Sequence, residues 1–549
     1  MKKLVTLLLI GVSFSVYAQD KVWVFFSDKD ATGFDPHTFF DQKAIERRLK
    51  HGIDLYDVSD IPVNESYVSA VEGIVGETKV VSRWFNAACC LANEEQKAQL
   101  RKLEFVTSVK TVNPGATWCA GMEKSGEETG SFEPSEDQLE FLDAQIKRMN
   151  GYVFKKNKVK GQGVRIAIFD VGFKSYKTNP AFEHIRKANR IIKTYNFVKK
   201  KEEVDGWDTH GTFVMSCVGG IIKGQEMGLA TEAEFLLART ETWTEFYSEE
   251  ENWLAAAEWA DQNGADVINS SLGYTFHRYF REDMDGETSL VSKAANMAAR
   301  KGIVVVNSAG NEGSDNWKNI GTPADADSVL SIGGISPWTG IHTSFSSFGP
   351  TWDKRLKPNV TAYGHVIGSG PKGISQTQGT SFSGPLVAGF VACALQSRPA
   401  FSNMKLFHEV EKSGDLYPYF DYAHGYGVPQ ADYFFTWPSA PKPTFKLKET
   451  GTSITVERLD TSNLESSSGE AVHYTQWPDY VFYHVENKKN YLDKYFVINP
   501  ATSWTDKKGV YDDYITEAPS PLVILKKDYA KPFTLRVFYK GYVEEIEVK

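Results

Sequence analysis

The chain has 549 residues, 41% of them hydrophobic and 24% charged, with a formal net charge of -9 and a pI near 5.8. That length exceeds one domain of about 100–200 residues and supplies ample apolar material for a large core. The acidic balance offers no footprint for nucleic acid or an anionic membrane surface.

Lys2 and Lys3 precede an apolar run at 4–16 and the small-residue site Val16-Tyr17-Ala18, which predicts a signal peptide over 1–18 with Gln19 as the new terminus. The run is short and polar Gln19-Asp20 follows it, against a retained anchor helix. No Cys directly follows the cut to carry a lipid, and no later stretch approaches the roughly 20 apolar residues of a membrane span. The expected location is secreted, periplasmic or cell surface. The five cysteines (Cys89, Cys90, Cys119, Cys217 and Cys393) are odd in number and irregular in spacing, neither a disulfide framework nor a zinc pattern. Cys217 and Cys393 read as small buried residues.

Residues 19–115 read as a small α+β unit. Strands are expected at 22–26 and 84–91, helices at 66–74 and from Asn93, and an extended segment at 106–112. The acidic residues after Asn93 suit a capped helix start. A charged stretch at 41–50 predicts a further helix. Two helix-and-strand halves fit a ferredoxin-like split unit. Residues 116–135 are polar, acidic and rich in Gly and Ser, an exposed linker open to proteolytic nicking.

Residues 136–436 alternate strands (164–169, 265–269, 303–306, 329–332) with helices (254–263, 294–301). Apolar strands alternating with helices predict a parallel sheet covered on both faces, with the functional site at the carboxyl ends of the strands. Pro438, Pro441 and Pro443 mark a stiff linker. The remainder of 437–549 carries strand-like runs at 453–456, 480–485, 495–498, 522–525 and 533–539, which predict a small β-sandwich.

Three segments carry the residue types of a nucleophilic serine site: Ile168-Phe169-Asp170, Asp208-Thr209-His210-Gly211 and Gly379-Thr380-Ser381. A serine hydroxyl is a poor nucleophile unless a base accepts its proton, and the base needs a carboxylate to hold its tautomer. Ser381 is then the candidate nucleophile, His210 the base and Asp170 the orienter. The apolar helical run after Ser381 places it at a helix N-terminus, which favours developing negative charge. Pro385 is expected in the first turn of that helix, where its missing N–H costs little. Asn311, past the strand at 303–306, offers an amide for an oxyanion, with the Ser381 N–H as second donor. Each piece alone has a plainer reading: a turn residue, a buried histidine, an N-cap. The combination, in the order Asp, His, Ser on strand ends and helix starts, makes coincidence a poor account.

These segments, together with Ser308-Ala309-Gly310-Asn311-Glu312-Gly313, Asn269-Ser270-Ser271-Leu272-Gly273 and Lys357-Pro358-Asn359, resemble the signatures of the subtilisin-like serine proteases over about residues 140–400. Val171 and Ser383-Gly384 depart from the usual family residues without removing a catalytic group. The resemblance implies a serine-type endopeptidase, made as a self-processing zymogen, acting on protein or peptide substrates. It implies that the α+β unit is the propeptide, inhibiting its own protease until a cut between 112 and 135. It also implies that Ser271, Leu272 and Gly273 form one wall of the primary specificity pocket and Ser308, Ala309 and Gly310 the other. Gly321 then lies at the base, leaving room for a large side chain. Glu312 reads either as a rim charge favouring a basic residue or as a solvated loop charge. No cofactor is expected. The family's calcium loop would fall at 219–228, where Lys223 stands in a cation's place, so that site is expected to be absent; a structural calcium ion elsewhere is left unassigned. Two alternatives are an inactive copy of the fold that binds through its β-sandwich, and a latent enzyme whose propeptide stays bound.

Overall fold

The computed structural model describes residues 19–112, 130–242, 247–275, 278–436, 441–459, 479–487, 489, 491–499, 515–517 and 522–549. The predicted leader, Cys119 and most of the predicted linker lie outside the described residues. Two compact units divide the chain: Met1–Phe34 with Tyr56–Pro114, and Asp35–Leu55 with Gly115–Lys549.

The first unit opens with β1 (Asp20–Phe26). The chain then leaves it for an arm, Asp35–Leu55, that carries α1 (Gln42–His51) and belongs to the larger unit. It returns for α2 (Glu65–Val75), β2 (Thr78–Ser82), β3 (Ala87–Ala92), α3 (Glu94–Leu100) and β4 (Val106–Thr111). The strands form an antiparallel sheet in the order β2-β3-β1-β4, the ferredoxin-like arrangement. Asn93 caps α3 in a reciprocal box with Gln96, as the composition there suggested. The strand expected from residue 84 starts later, because the chain turns at Asn86, whose φ is 49°. The edge strand β2 was not anticipated; its half-exposed residues give little apolar signal.

The larger unit centres on seven parallel strands: β5 (Arg165–Asp170), β6 (Ile191–Asn196), β7 (Glu234–Arg239), β8 (Val267–Ser270), β9 (Val304–Ser308), β10 (Val329–Ile335) and β11 (Val360–Tyr363). Their order is β11-β10-β9-β8-β5-β7-β6. Alternate residues of β5 serve opposite faces. Ile166 and Ile168 enter the core that holds α5 (His210–Gly219) and the long helix beginning at Thr380. Phe169 points the other way, its ring 5.4 Å from that of Trp253 on α6 (Tyr247–Gln262). Helix α7 (Leu290–Arg300) runs between β8 and β9, and α8 (Thr380–Ser397) lies wholly within the core until its last turn.

Beyond residue 444, strands β12 (Phe445–Glu449) and β13 (Ser453–Arg458) pair in one sheet with β17 (Leu522–Leu525). Strands β14 (Val481–Asn487), β15 (Leu492–Asn499), β16 (Ile515–Glu517), β18 (Phe533–Tyr539) and β19 (Tyr542–Val548) form a second. Phe445, Ile454 and Ile524 from one sheet meet Val485, Leu535 and Val537 from the other in a common core, so the two make a sandwich. The outer face of the second sheet packs on the protease body: Phe482, Val497 and Phe538 join Ile341, Leu416 and Tyr419. There the buried His484 stacks on Tyr419 at 5.0 Å and places its Nδ1 2.5 Å from the carbonyl of Phe420.

Candidate active site

The carboxyl ends of β5, β8 and β9 and the starts of α5 and α8 supply the residues singled out in the sequence. Asp170 ends β5 and is fully buried. Its Oδ1 accepts the N–H of Val171 at 2.8 Å, so that departure from the usual residue contributes its backbone amide. His210 is the first residue of α5, and its Nδ1 stands 3.0 Å from both Asp170 oxygens. The approach depends on Gly211: a Cβ there would fall 2.5 Å from the Gly172 carbonyl and 3.0 Å from the Asp170 Cβ.

Asp208, given no role by sequence reasoning, accepts the His210 backbone N–H at 2.8 Å. Burial alone would lower the His210 imidazole, but the charge and hydrogen bond of Asp170, with Asp208 behind, carry it above the ordinary value. An imidazole held at Nδ1 in this way leaves Nε2 to take a proton.

Ser381 is the second residue of α8 and is almost wholly buried. Its neighbour Phe382 brings a ring to 5.4 Å from the His210 ring. The Asn311 Oδ1 accepts the Thr380 N–H at 2.8 Å and lies 2.9 Å from the Thr380 hydroxyl. A backbone N–H must face an acceptor, so this pairing assigns the amide orientation. Thr380 also bonds Gly310, its hydroxyl lying 3.1 Å from the carbonyl and 3.2 Å from the N–H, which ties the Asn311 loop to the start of α8.

The two expected pocket walls are held by one side chain. Asn307 Nδ2 donates to the carbonyls of Leu272 at 2.9 Å and Ser308 at 2.8 Å. The Ala309 N–H donates to the Ile332 carbonyl at 2.9 Å. Nothing lies nearer than 3.8 Å to the place a Cβ would take on Gly273, so that wall faces open space. At Gly321 the Cβ position is filled by the Thr275 methyl at 2.7 Å and the Tyr274 carbonyl at 2.8 Å. There the glycine leaves room for the bridge between Tyr274 and Thr322.

Glu312 corrects both sequence readings, since it is neither a rim charge nor solvated. It is 6% exposed, its Oε2 accepts the Ser347 hydroxyl at 2.8 Å, and its own N–H donates to that hydroxyl at 3.1 Å. Burial pushes its carboxyl up to about 7, against the Ser347 hydrogen bond, with Asp315 adding repulsion. The folded state thus holds this proton more tightly than the unfolded chain. The resulting cost to stability sets in above about pH 4.5 and is complete by about pH 7. Glu312→Gln, on an inactive background to prevent autolysis, is expected to be more stable than its parent by about 3 kcal/mol at pH 8 and equal to it at pH 4. Denaturant melts at the two pH values check this.

Pro385 also falls elsewhere than expected. Helix α8 begins at Thr380, so Pro385 sits in the second turn, where its N–H would have bonded the Ser381 carbonyl. That carbonyl instead accepts the Ser271 hydroxyl at 2.9 Å, and Asn269 Nδ2 supports Ser271 Oγ at 3.3 Å. The Ser381 Oγ in turn lies 3.4 Å from the Ser271 carbonyl. A proline four residues after the candidate nucleophile was the available signal for this link. Ser271→Ala is expected to lower kcat about tenfold and KM little, from the loss of roughly one buried hydrogen bond. Adding Pro385→Ala, which restores a helical N–H, should recover most of that loss. Strictly additive kcat values across the four proteins would reject the link.

Among the described residues no group of three His, Cys, Asp or Glu side chains is placed to hold a metal ion. The stretch expected to lack the family's calcium loop folds as a short hairpin, Ile221–Ile222 with Gln225–Glu226, and Lys223 at its tip pairs with Glu133 at 2.5 Å.

The subtilase family profile matches residues 161–427, and a Peptidase S8 propeptide domain of Bacteroidota matches 21–127. Subtilisin DY of Bacillus licheniformis is 30% identical over 261 residues, 46% of this chain and 85% of that protein. The chain belongs to the subtilase family. It is a serine-type protease with a propeptide domain. Subtilisin-like protease 2 of Trichophyton rubrum is 30% identical over 42% of this chain and half of its own length. The membrane-bound transcription factor site-1 protease of Homo sapiens is 31% identical over 42% of this chain and 20% of its own. The solved structure of MycP1 from Mycobacterium smegmatis aligns with a TM-score of 0.45 and 22% identity, covering 62% of this chain and 97% of that one.

Proposed function

We propose that this subtilase is an exported endopeptidase that attacks peptide carbonyls with Ser381. In this reading His210 takes the serine proton and returns it to the leaving amine, while Asp170 holds the imidazole and stabilises its charged form. The Asn311 amide and the Ser381 N–H receive the oxyanion of the tetrahedral intermediate. An acyl-enzyme forms on Ser381, and water, deprotonated by His210, releases it. The observation that carries the reading is the seating of His210 Nδ1 at 3.0 Å from both oxygens of buried Asp170, beside the start of α8.

Substrate backbone would lie as an extended strand along Ser271, Leu272 and Gly273, with Ser308, Ala309 and Gly310 opposite. The propeptide would block the cleft until the enzyme cuts its own chain between 112 and 135. Every group this chemistry uses is a side chain or backbone amide of the protein, so the reading calls on no cofactor and assigns no structural calcium. No helix among the described residues is long and apolar enough to cross a membrane. The leader sequence and the family's propeptide domain support a secreted, periplasmic or cell-surface location.

A serine-directed organophosphorus probe tests the assignment. Covalent labelling of the processed enzyme is expected at Ser381, located by peptide mapping, and prior occupation of the cleft by a peptide inhibitor should slow it. A processed, folded enzyme that takes no label at Ser381 would sink the proposal.

A further inference from the structure

The loop between β6 and α5 carries features that the proposed chemistry does not use. Trp207 stands three residues before His210 and is 47% exposed. Its φ is 68°, a left-handed conformation that costs a bulky residue free energy and persists only where the surroundings impose it. The loop is imposed by close packing beside Asp170. A Cβ on Gly172 would lie 2.6 Å from the Asp208 nitrogen and 3.0 Å from the Trp207 Cβ, so the loop rests on the backbone two residues past Asp170.

One guanidinium holds the indole there. Arg239 Cζ lies 4.3 Å from the Trp207 ring centre, and Arg239 Nε donates to the Val171 carbonyl at 2.7 Å. The turn after β6 is tied to the same arginine, whose carbonyl accepts the Phe197 N–H at 2.9 Å. Within that turn Asn196 Oδ1 accepts the Lys199 N–H at 3.0 Å. Lys199 and Lys201 are exposed and bring their Nζ atoms to 5.8 and 5.6 Å from the Trp207 ring centre. Neither ammonium is paired with a carboxylate among the described residues. Most acids of the loop are engaged elsewhere. Glu203 takes the Lys177 Nζ and the Asp205 N–H, each at 2.7 Å, and Asp205 takes the Ser175 N–H at 2.7 Å. Asp208 takes the His210 N–H. Exposed Glu202 alone of these acids is left to oppose the two ammonium groups.

This patch lies at the carboxyl ends of the strands, on the edge that holds Asp170. Strands β5, β7 and β6 are successive neighbours, with Asp170 beside Arg239 and Arg239 beside Asn196. Strands about 4.8 Å apart put the turn after β6 about 10 Å from the end of β5. An extended peptide advances about 3.3 Å per residue, so that distance is about three residues of substrate.

We propose that Lys199, Lys201 and Trp207 form a subsite that receives an acidic side chain of the substrate, Glu or Asp, about three residues from the bond that is cut. The proposal rests on the endopeptidase reading and adds to it a substrate class. The indole gathers the two ammonium groups over one face of the cleft by cation–π attraction and offers its ring to the methylenes of the incoming side chain. The ammonium groups supply the charge. Exposed charges of this kind are individually weak and salt-sensitive, so the subsite ranks substrates without being needed for the chemistry.

The test walks one Glu through the positions on both sides of the scissile bond of an alanine-based, internally quenched peptide, with Gln and Lys as controls at each position. At the position that meets the subsite, Glu is expected to exceed Gln about tenfold in kcat/KM at about 20 mM NaCl, mostly through KM, and about twofold at about 0.5 M. Lys199→Glu with Lys201→Glu should invert the order at that position, so that Lys exceeds Glu, an outcome that a misfolded variant would not give. Trp207→Gly, which suits the local φ, should keep its melting temperature within a few degrees and reduce the Glu preference to about threefold. A lowered melting temperature with the preference intact would assign Trp207 to the fold alone and remove it from the subsite. Equal rates for Glu and Gln at every position, with the alanine peptide cut, would overturn the subsite and leave the endopeptidase reading standing. Failure to cut any peptide would overturn both.

Discussion

Ser381→Ala is expected to lower kcat by roughly a millionfold, the cost of losing the nucleophile in subtilisin itself. The size follows from what the geometry offers. The hydroxyl sits at the start of a buried helix, where the neighbouring Phe382 brings its ring against an imidazole already held by Asp170. The same substitution should leave the chain in one piece where the parent yields two fragments. His210→Ala alone should cost about as much, and the double variant little more, because base and nucleophile act as one unit. The measurement is hydrolysis of a chromogenic peptide by the single and double variants. Losses that multiply would show that the two residues act in separate steps.

Asn311→Leu should cost about 10² to 10³ in kcat with KM nearly unchanged, the range known for the oxyanion asparagine of subtilisin. On the proposed assignment, the structure gives a reason for the amide to be effective. Thr380 binds its Oδ1 through both the N–H and the hydroxyl, so the NH₂ end is oriented before substrate arrives. Preorganisation of this sort avoids reorganisation at the moment charge develops. Asn311→Asp keeps the acceptor for Thr380 but puts an oxygen where the donor was, and should be at least as severe as leucine. A rise in KM with kcat preserved would assign Asn311 to substrate binding instead.

The legible parts of this protein were those with strong local signals. Strand β5 and its neighbours β8 and β9 are apolar runs bounded by turn residues, and residues Asp170 and Ser381 fall on the strand end and helix start that the proposed chemistry requires. Strands β6 and β7 escaped notice, the first because its outer residues are half-exposed, the second because Glu234 and Arg239 flank its apolar centre. Glu312 was misjudged because its burial arises from Ser347, a partner distant in sequence. The arm shows the same limit more strongly. A charged stretch at 41–50 was readable as a helix, but only the folded chain reveals that Arg47 and Arg48 converge on Asp261 more than two hundred positions away.

The aromatic seam under the β-sandwich bears on how such chains diversify. Tyr419, Phe420 and Leu416 belong to the protease body, yet they are covered by Phe482, His484 and Phe538 of the C-terminal strands. A chain stopped near residue 436 would lay those rings bare to water and leave the Phe420 carbonyl without its imidazole donor. The C-terminal sandwich is accordingly no freely exchangeable attachment. A recombination that swaps it for another module must carry a matching 416–424 loop.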